Sequence, residues 1–344
     1  MTRISAGLPQ NIVFSPSAVD LSTMHAGKAV LPRAASIAPS MPDNAALAAN
    51  TVIKDAAARL VSQQSGLAQL YGDLDAAITR TDLPQAVRAA AQSVLSLRMD
   101  AGHADALKTA VLKSGLFTEA MLAAGLAPAG DMKTALLSLR QTLQSWLGVS
   151  VPETRADPQL PPPFRGAAPV AQQPAVSPLA MLDARAAGFQ LLAETDGALA
   201  RQTLLQIASL PDAVAPQQTD ASPKLTMDIP LATPLGTAII QLQIEHDEER
   251  QDGEASREKT WRINLAIDLE PLGPVRASVS QIGGLTHVAL MAERKDSAKA
   301  LRDDLPMLEA SLAEAALDVG DLQCRTGKPQ ISSAPAGLFV DRAS

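Results

Sequence analysis

Between Trp261 and Leu290 the hydrophobic residues of each run fall on every second position. The pattern breaks at Pro271-Leu272-Gly273 and again at Gly283-Gly284. A period of two is the repeat of a strand with one buried face, and a helix cannot use it. Runs of this kind, joined by short Gly-containing turns, argue for antiparallel hairpins. In "WRINLAIDL" one face carries Trp261, Ile263, Leu265, Ile267 and Leu269, and the other carries Arg262, Asn264 and Asp268. "KLTMDIPL" and "GTAIIQLQIEHD" continue the alternation upstream, the latter with Ile240, Leu242 and Ile244 on one face. Pro271 fixes φ, Leu272 offers an apolar anchor and Gly273 permits positive φ, so the three residues read as a structural corner between two strands. Pro234-Leu235-Gly236 has the composition of a similar strand-entry turn, and the likeness of the two is too short to imply duplication.

After "LTHVALMAE" the period changes. Leu301, Leu305, Leu308 and Leu312 form a helical stripe, Pro306 is expected to kink or restart that helix, and Gly320 to end it. "DLQCRTG" reads as a last short strand. Residues 224–328 are therefore expected to form an α+β domain: a mostly antiparallel sheet with packed helices. Residues 297–319 would cover one face, with the 179–209 helix as a second candidate cover. The segment "EERQDGEASREK" reads as a charged loop.

The N-terminal half has the other period. Residues 1–44 carry scattered Ser, Pro and Ala without periodicity and read as disordered. Residues 45–149 read as α-helical, in a loose hairpin or bundle that the Ala-rich composition would pack weakly. Its clearest helix is "DMKTALLSLRQTLQSWLG", with Asp131 as N-cap, Gly148 as stop, and a stripe of Leu136, Leu139, Leu143, Trp146 and Leu147. Residues 150–178 have the densest proline and read as an extended linker. Residues 179–210 read as one amphipathic helix with Leu182, Phe189, Leu192, Leu199, Ile207 and Leu210 near one face. Arg185, Glu194, Asp196 and Arg201 would keep it from being a buried rod. Residues 329–344 read as a flexible tail.

Several function classes lose support. A net charge of −7 without clustered Lys or Arg argues against nucleic acid. No run of about 18 apolar residues is present, so no membrane insertion is expected. The single cysteine, Cys324, excludes an internal disulfide. His25, His103, His246 and His287 lie at no metal-ligand spacing, and His287 alternates toward solvent. "EHDEERQDGE" lacks the calcium-loop register, and no phosphate loop or nucleophile elbow occurs. No catalytic residue, cofactor or metal is assigned, and an enzyme is not expected.

The stretch from Trp261 to Cys324 resembles the C-terminal domain of flagellar hook-length control proteins, the FliK type. The matching pieces are Leu269, Pro271, Leu272, Gly273 and Val275; then Val288, Leu290 and Ala292-Glu293; then the leucine stripe, Gly320 and the last strand. "GALARQTLLQIASLPD" also looks like the helix that precedes this domain in many members. The resemblance implies export from the cytoplasm through the flagellar type III apparatus, directed by an N-terminal signal-like segment, to the bacterial flagellum. It implies partners: hook and hook-cap subunits, and the cytoplasmic domain of the export-gate switch protein (FlhB-type). Binding the latter would change export from hook-type to filament-type substrates, with the protein acting as a monomer. Candidate partner-binding residues near the motif are Glu270, Arg276, Arg294, Lys295 and Arg302. A secreted structural or adhesin-like interaction protein, or a small-ligand α+β enzyme, remain open alternatives.

Overall fold

The computed structural model describes residues 44–100, 104–125, 130–149, 160–210, 224–247, 250–252, 255–257 and 260–328. The expectations for residues 1–43, His25, His103, the first part of the Pro-rich stretch and the tail from 329 fall outside the described residues.

Helices α1 (Asn44–Val61), α2 (Leu67–Thr79), α3 (Gln85–Leu95), α4 (Ala104–Leu112), α5 (Thr118–Ala123) and α6 (Met132–Leu147) come first in the chain. Asp131 caps α6 by accepting from the Thr134 amide at 2.7 Å, and Gly148 ends the helix at φ 72°. The packing is tighter than the Ala-rich composition suggested. Leu70, Tyr71, Leu74, Val87, Leu139 and Leu143 are fully buried in one core. Burial of each large apolar side chain contributes about 1.5–3 kcal/mol before the opposing entropy is counted. The many alanines let α2, α3, α6 and the next helix approach closely enough for the leucines to interlock.

That next helix, α7 (Ala184–Ser209), departs from the sequence reading. It is buried around most of its circumference: Leu191, Leu192, Leu204 and Leu205 are inside, but so are Glu194 and Arg201. Phe189 and Leu210, expected on the buried face, are among the exposed hydrophobics. The reason is that α7 is shared by two layers, with α1, α2 and α6 against it on one side and the sheet on the other. Two glycines make this possible. A Cβ on Gly188 would lie 2.3 Å from the Trp146 ring, and one on Gly197 would lie 2.1 Å from Ser65 Oγ.

Strands β1 (Lys224–Thr233), β2 (Gly236–Asp247), β5 (Thr260–Leu269), β6 (Gly273–Ile282), β7 (Leu285–Ala292) and β8 (Asp318–Thr326) form a sheet in the order β1-β2-β5-β6-β7-β8. All neighbours are antiparallel except β7 and β8. That parallel pair needs a crossover, which is supplied by α8 (Lys295–Asp303) and α9 (Leu305–Glu314). Pro234 and Leu235 form the two-residue β1–β2 turn, with Thr233 opposite Gly236. The segment read as a charged loop contains a small hairpin, β3 (Arg250–Asp252) with β4 (Ala255–Arg257).

The helix after β7 restarts at Pro306, which lies in the first turn of α9. Gly320 does not end it. Helix α9 stops at Glu314, Ala316 takes φ 57°, and Gly320 lies inside β8. The backbone there passes the His287 imidazole, 2.6 Å from where a Cβ would stand, so any side chain at 320 would have to displace the ring. His287 is accordingly half-buried, accepting at Nδ1 from the Asp321 amide, and does not simply face solvent.

One sheet face carries Ala238, Ile267, Val275 and Ala292 and packs under Ala298 and Leu301 of α8. On the same face at the β1 edge, Met227, Ile229 and Leu242 meet Ala110 and Val111 of α4. The opposite face is polar over β1 and β2 and receives α7. Residues 160–178, read as linker, run here as an extended strap bonded on both sides. Gln64 donates to the Leu160 carbonyl, the Val170 amide donates to Gln241 Oε1, and Gln243 donates to the Ala167 carbonyl. Proline explains why the strap has no helix or strand of its own; its bonds run instead to other segments, with Gln64, Gln241 and Gln243 among the partners.

Candidate functional site

The β5–β6 corner is built as a joint between sheet and helix. Strand β5 ends at Leu269, the Glu270–Pro271 bond is cis, and Gly273 opens β6 at φ 73°. Leu272 packs against the Ala298–Ile267 cluster. The α8 N-terminus then clasps the corner from outside. Arg294 Nη1 donates to the Pro271 carbonyl at 2.7 Å, and Ser297 Oγ donates to the Leu272 carbonyl at 2.6 Å. The Arg294 guanidinium crosses Gly273 so closely that a Cβ there would stand 2.7 Å from Nε. Positive φ and close approach thus both select glycine.

The residues singled out from the sequence do not form one group. Glu270, Arg294 and Lys295 come together, exposed, at the corner. Arg302 lies further along α8 and donates from Nε to the Cys324 carbonyl of β8 at 3.3 Å. Arg276 points to the other side of the sheet, since its register partners are Ala266 and Met291 while Val275 faces the α8 cluster. Sequence reading missed Ser297, which is buried, and Asp268, which is buried beside the corner. Burial raises the Asp268 carboxyl above the usual range; Arg294 opposes this, and Glu270 and Glu293 add to it. The alternation put Asp268 on the polar face, but nothing local to it in the sequence signals that this end of the face is covered.

Cys324 is half-buried, its Sγ donating to the Ala298 carbonyl at 3.4 Å, and burial pushes the thiol above its ordinary pKa. His246 stacks obliquely on Trp261 with ring centres 4.0 Å apart. Among the described residues no group of three or more His, Cys, Asp or Glu is placed to hold a metal ion. No helix of the described residues is long and apolar enough to cross a membrane. A second acidic feature lies between α2 and α7. Glu194 faces Asp73 out of solvent, and burial followed by the Asp73 carboxyl pushes its pKa up to about 9.

These features define an α+β domain whose distinctive element is a helix-clasped corner on a six-stranded, mostly antiparallel sheet. Residues 249–333 match the family described as flagellar hook-length control protein FliK. The C-terminal domain is therefore a hook-length control domain of the FliK type. The match takes in β3–β8, α8, α9 and the corner, and leaves out β1, β2 and all that precedes them. No curated protein and no solved structure matches the chain.

Proposed function

We propose that this chain is exported through the flagellar type III apparatus and that its C-terminal domain binds the cytoplasmic domain of the export-gate switch protein (FlhB-type). The binding turns export from hook-type to filament-type substrates. The family match over 249–333 is the observation that carries this reading. The role is one of differential binding: a folded surface that prefers one state of a two-state partner shifts that partner's population without covalent chemistry. Glu270, Arg294, Lys295 and Arg302 supply the charged rim, where charge chiefly sets encounter rate and specificity. Arg276 lies on the other face and does not share that rim. Upstream, the helical unit and its preceding segment contact hook and hook-cap subunits during export.

The test is deletion of the gene, with the full chain returned from a plasmid, followed by electron microscopy of hooks. Overlong hooks lacking filaments, restored to filamented hooks by the full chain, are expected. Filaments of ordinary number in the deletion strain would overturn the switching role.

A further inference from the structure

The polar face of β5–β8 is not covered by α7. Between it and the strap at Gly166, Ala168 and Pro169 runs a groove of about 510 Å³. Its floor is short or amide-bearing: Asn264, Ser278, Ala289 and Gln323 lie in one row across four strands. The next row reads Arg276, Met291, Arg325. Strand spacing sets the two arginine backbones about 10 Å apart on the same face. Arg262 lies on this face as well, beyond the other side of the amide row, and reaches Glu245 only at 3.9 Å.

Neither Arg276 nor Arg325 makes a hydrogen bond or ion pair with any described residue, although Arg276 is half-buried. Burial lowers the Arg276 pKa, and Glu293 offsets this only at a distance. A guanidinium that has lost part of its hydration without gaining a carboxylate is a site of unspent electrostatic attraction. This chain is acidic overall, with net charge −7, yet among the described residues no carboxylate pairs with these two cations beside the groove. By contrast Lys224, at the groove's far end, is paired to Glu245 at 2.5 Å.

We infer that this groove is a docking site for an extended acidic peptide segment of a partner protein, whose carboxylates pair with Arg276 and Arg325 while its backbone lies over the amide-bearing row. Charge complementarity selects the acidic side chains, and the side-chain amides and hydroxyl of Asn264, Gln323 and Ser278 suit a main chain that brings its own N–H and C=O groups. Crossing from the strap to β8 covers about 20 Å, the span of roughly six extended residues. The site is on the face opposite the α8 clasp, so it stands or falls separately from the switching role.

The test uses the full chain and two acetylated, amidated hexapeptides, alternating Glu-Ser and alternating Lys-Ser. Binding is followed by NMR of the arginine Nε–Hε and the alanine and methionine methyl signals. The Glu-Ser peptide is expected to give saturable shifts at Arg276, Arg325, Ala289 and Met291, and the Lys-Ser peptide none. The double variant Arg276→Gln/Arg325→Gln should bind at least about tenfold more weakly, since two charge-assisted contacts are removed. Lys108→Gln, at an exposed position of α4, should bind as the parent does. Thermal melts establish that the double variant is folded. Absence of shifts, equal shifts with both peptides, or undiminished binding by the folded double variant would overturn the inference.

Discussion

The Nε of Arg201 lies 2.7 Å from Oδ2 of Asp228, and the two side chains are only 2% and 1% exposed. Around this pair close four further contacts. Arg201 also donates to Gln64 Oε1 at 2.9 Å and to the Pro161 carbonyl, while Gln172 and Gln241 both donate to Asp228. The α1–α2 turn, the strap, α7, β1 and β2 thus meet at one ion pair. The helical half and the sheet are joined by it, and the match to the hook-length control family begins just beyond the strands it holds.

Two buried charges taken singly are costly, and together they are offset by mutual attraction and by a full set of hydrogen bonds. Arg201→Ala or Asp228→Ala alone leaves an uncompensated charge and is expected to cost about 3–5 kcal/mol. The double replacement Arg201→Met/Asp228→Leu should cost clearly less than the sum of the singles. Denaturant titration of the four proteins checks this. Additive losses would mean the pair is not energetically coupled.

Glu194 makes stability depend on pH in a definite direction. Its folded-state pKa of about 9 lies above the ordinary glutamate value of 4.5. As pH rises through that window the unfolded chain releases the proton and the folded chain keeps it. The folded state then binds more protons, so stability falls with rising pH. Glu194→Gln keeps the Asp73 neighbour but cannot ionise. It should flatten the decline and stabilise the protein by about 1 kcal/mol or more at alkaline pH, relative to its effect in the acid range where glutamate ordinarily titrates. Asp196 and Asp268 are also raised by burial and slope the same way, so the difference between parent and variant is the quantity to measure. Identical pH–stability curves for the two proteins would refute the buried carboxyl pair.

At the corner, Gly273→Ala introduces a Cβ at φ 73° and against Arg294. The backbone part costs about 1 kcal/mol, and the clash adds to it, for a total of roughly 1–3 kcal/mol. Adding Arg294→Ala removes the clash but also the bond to Pro271. The double variant should therefore lose less than the two singles combined. A thermal melt of Gly273→Ala that coincides with the parent would rule out this geometry.

Much of the sheet was legible because alternation is local. Trp261 to Leu269 and the corner declare their faces within a few residues, and Asp131, Gly148 and Pro306 mark helix ends by their own stereochemistry. Helix α7 was not legible for a physical reason. In a helix packed on two sides the apolar period disappears, and Glu194 and Arg201 look like solvent-facing residues until their partners, 27 and more residues away, are in place. Gly320 misled because the pressure for a small residue there comes from His287 on a neighbouring strand and not from a helix end. In the candidate site, the charge of the corner could be read from sequence, whereas the groove arginines could be grouped only once register placed Arg325 beside Met291 and Arg276.

The strap offers the sharpest test of whether residues 160–178 belong to the folded unit. Gln172 is buried and works in two directions. Its Oε1 accepts from the Ala68 amide at 3.2 Å, in the first turn of α2 where no intrahelical acceptor exists, and its Nε2 donates to Asp228 Oδ2 at 2.7 Å. Gln172→Ala removes both and leaves two buried polar groups short of a partner, an expected loss of about 1–3 kcal/mol. Gln172→Glu keeps the shape and the acceptor for Ala68 but replaces the donor facing Asp228 with a second carboxylate. It should cost more than Gln172→Ala at neutral pH, and the gap should close as the pH is lowered and the new carboxyl protonates, because the protonated acid can again donate to Asp228. A strap that were only a tether would predict both substitutions within about 0.5 kcal/mol of the parent at every pH. Equilibrium unfolding of the three proteins at neutral and acid pH separates the two descriptions, and equal stabilities would detach the strap from the core.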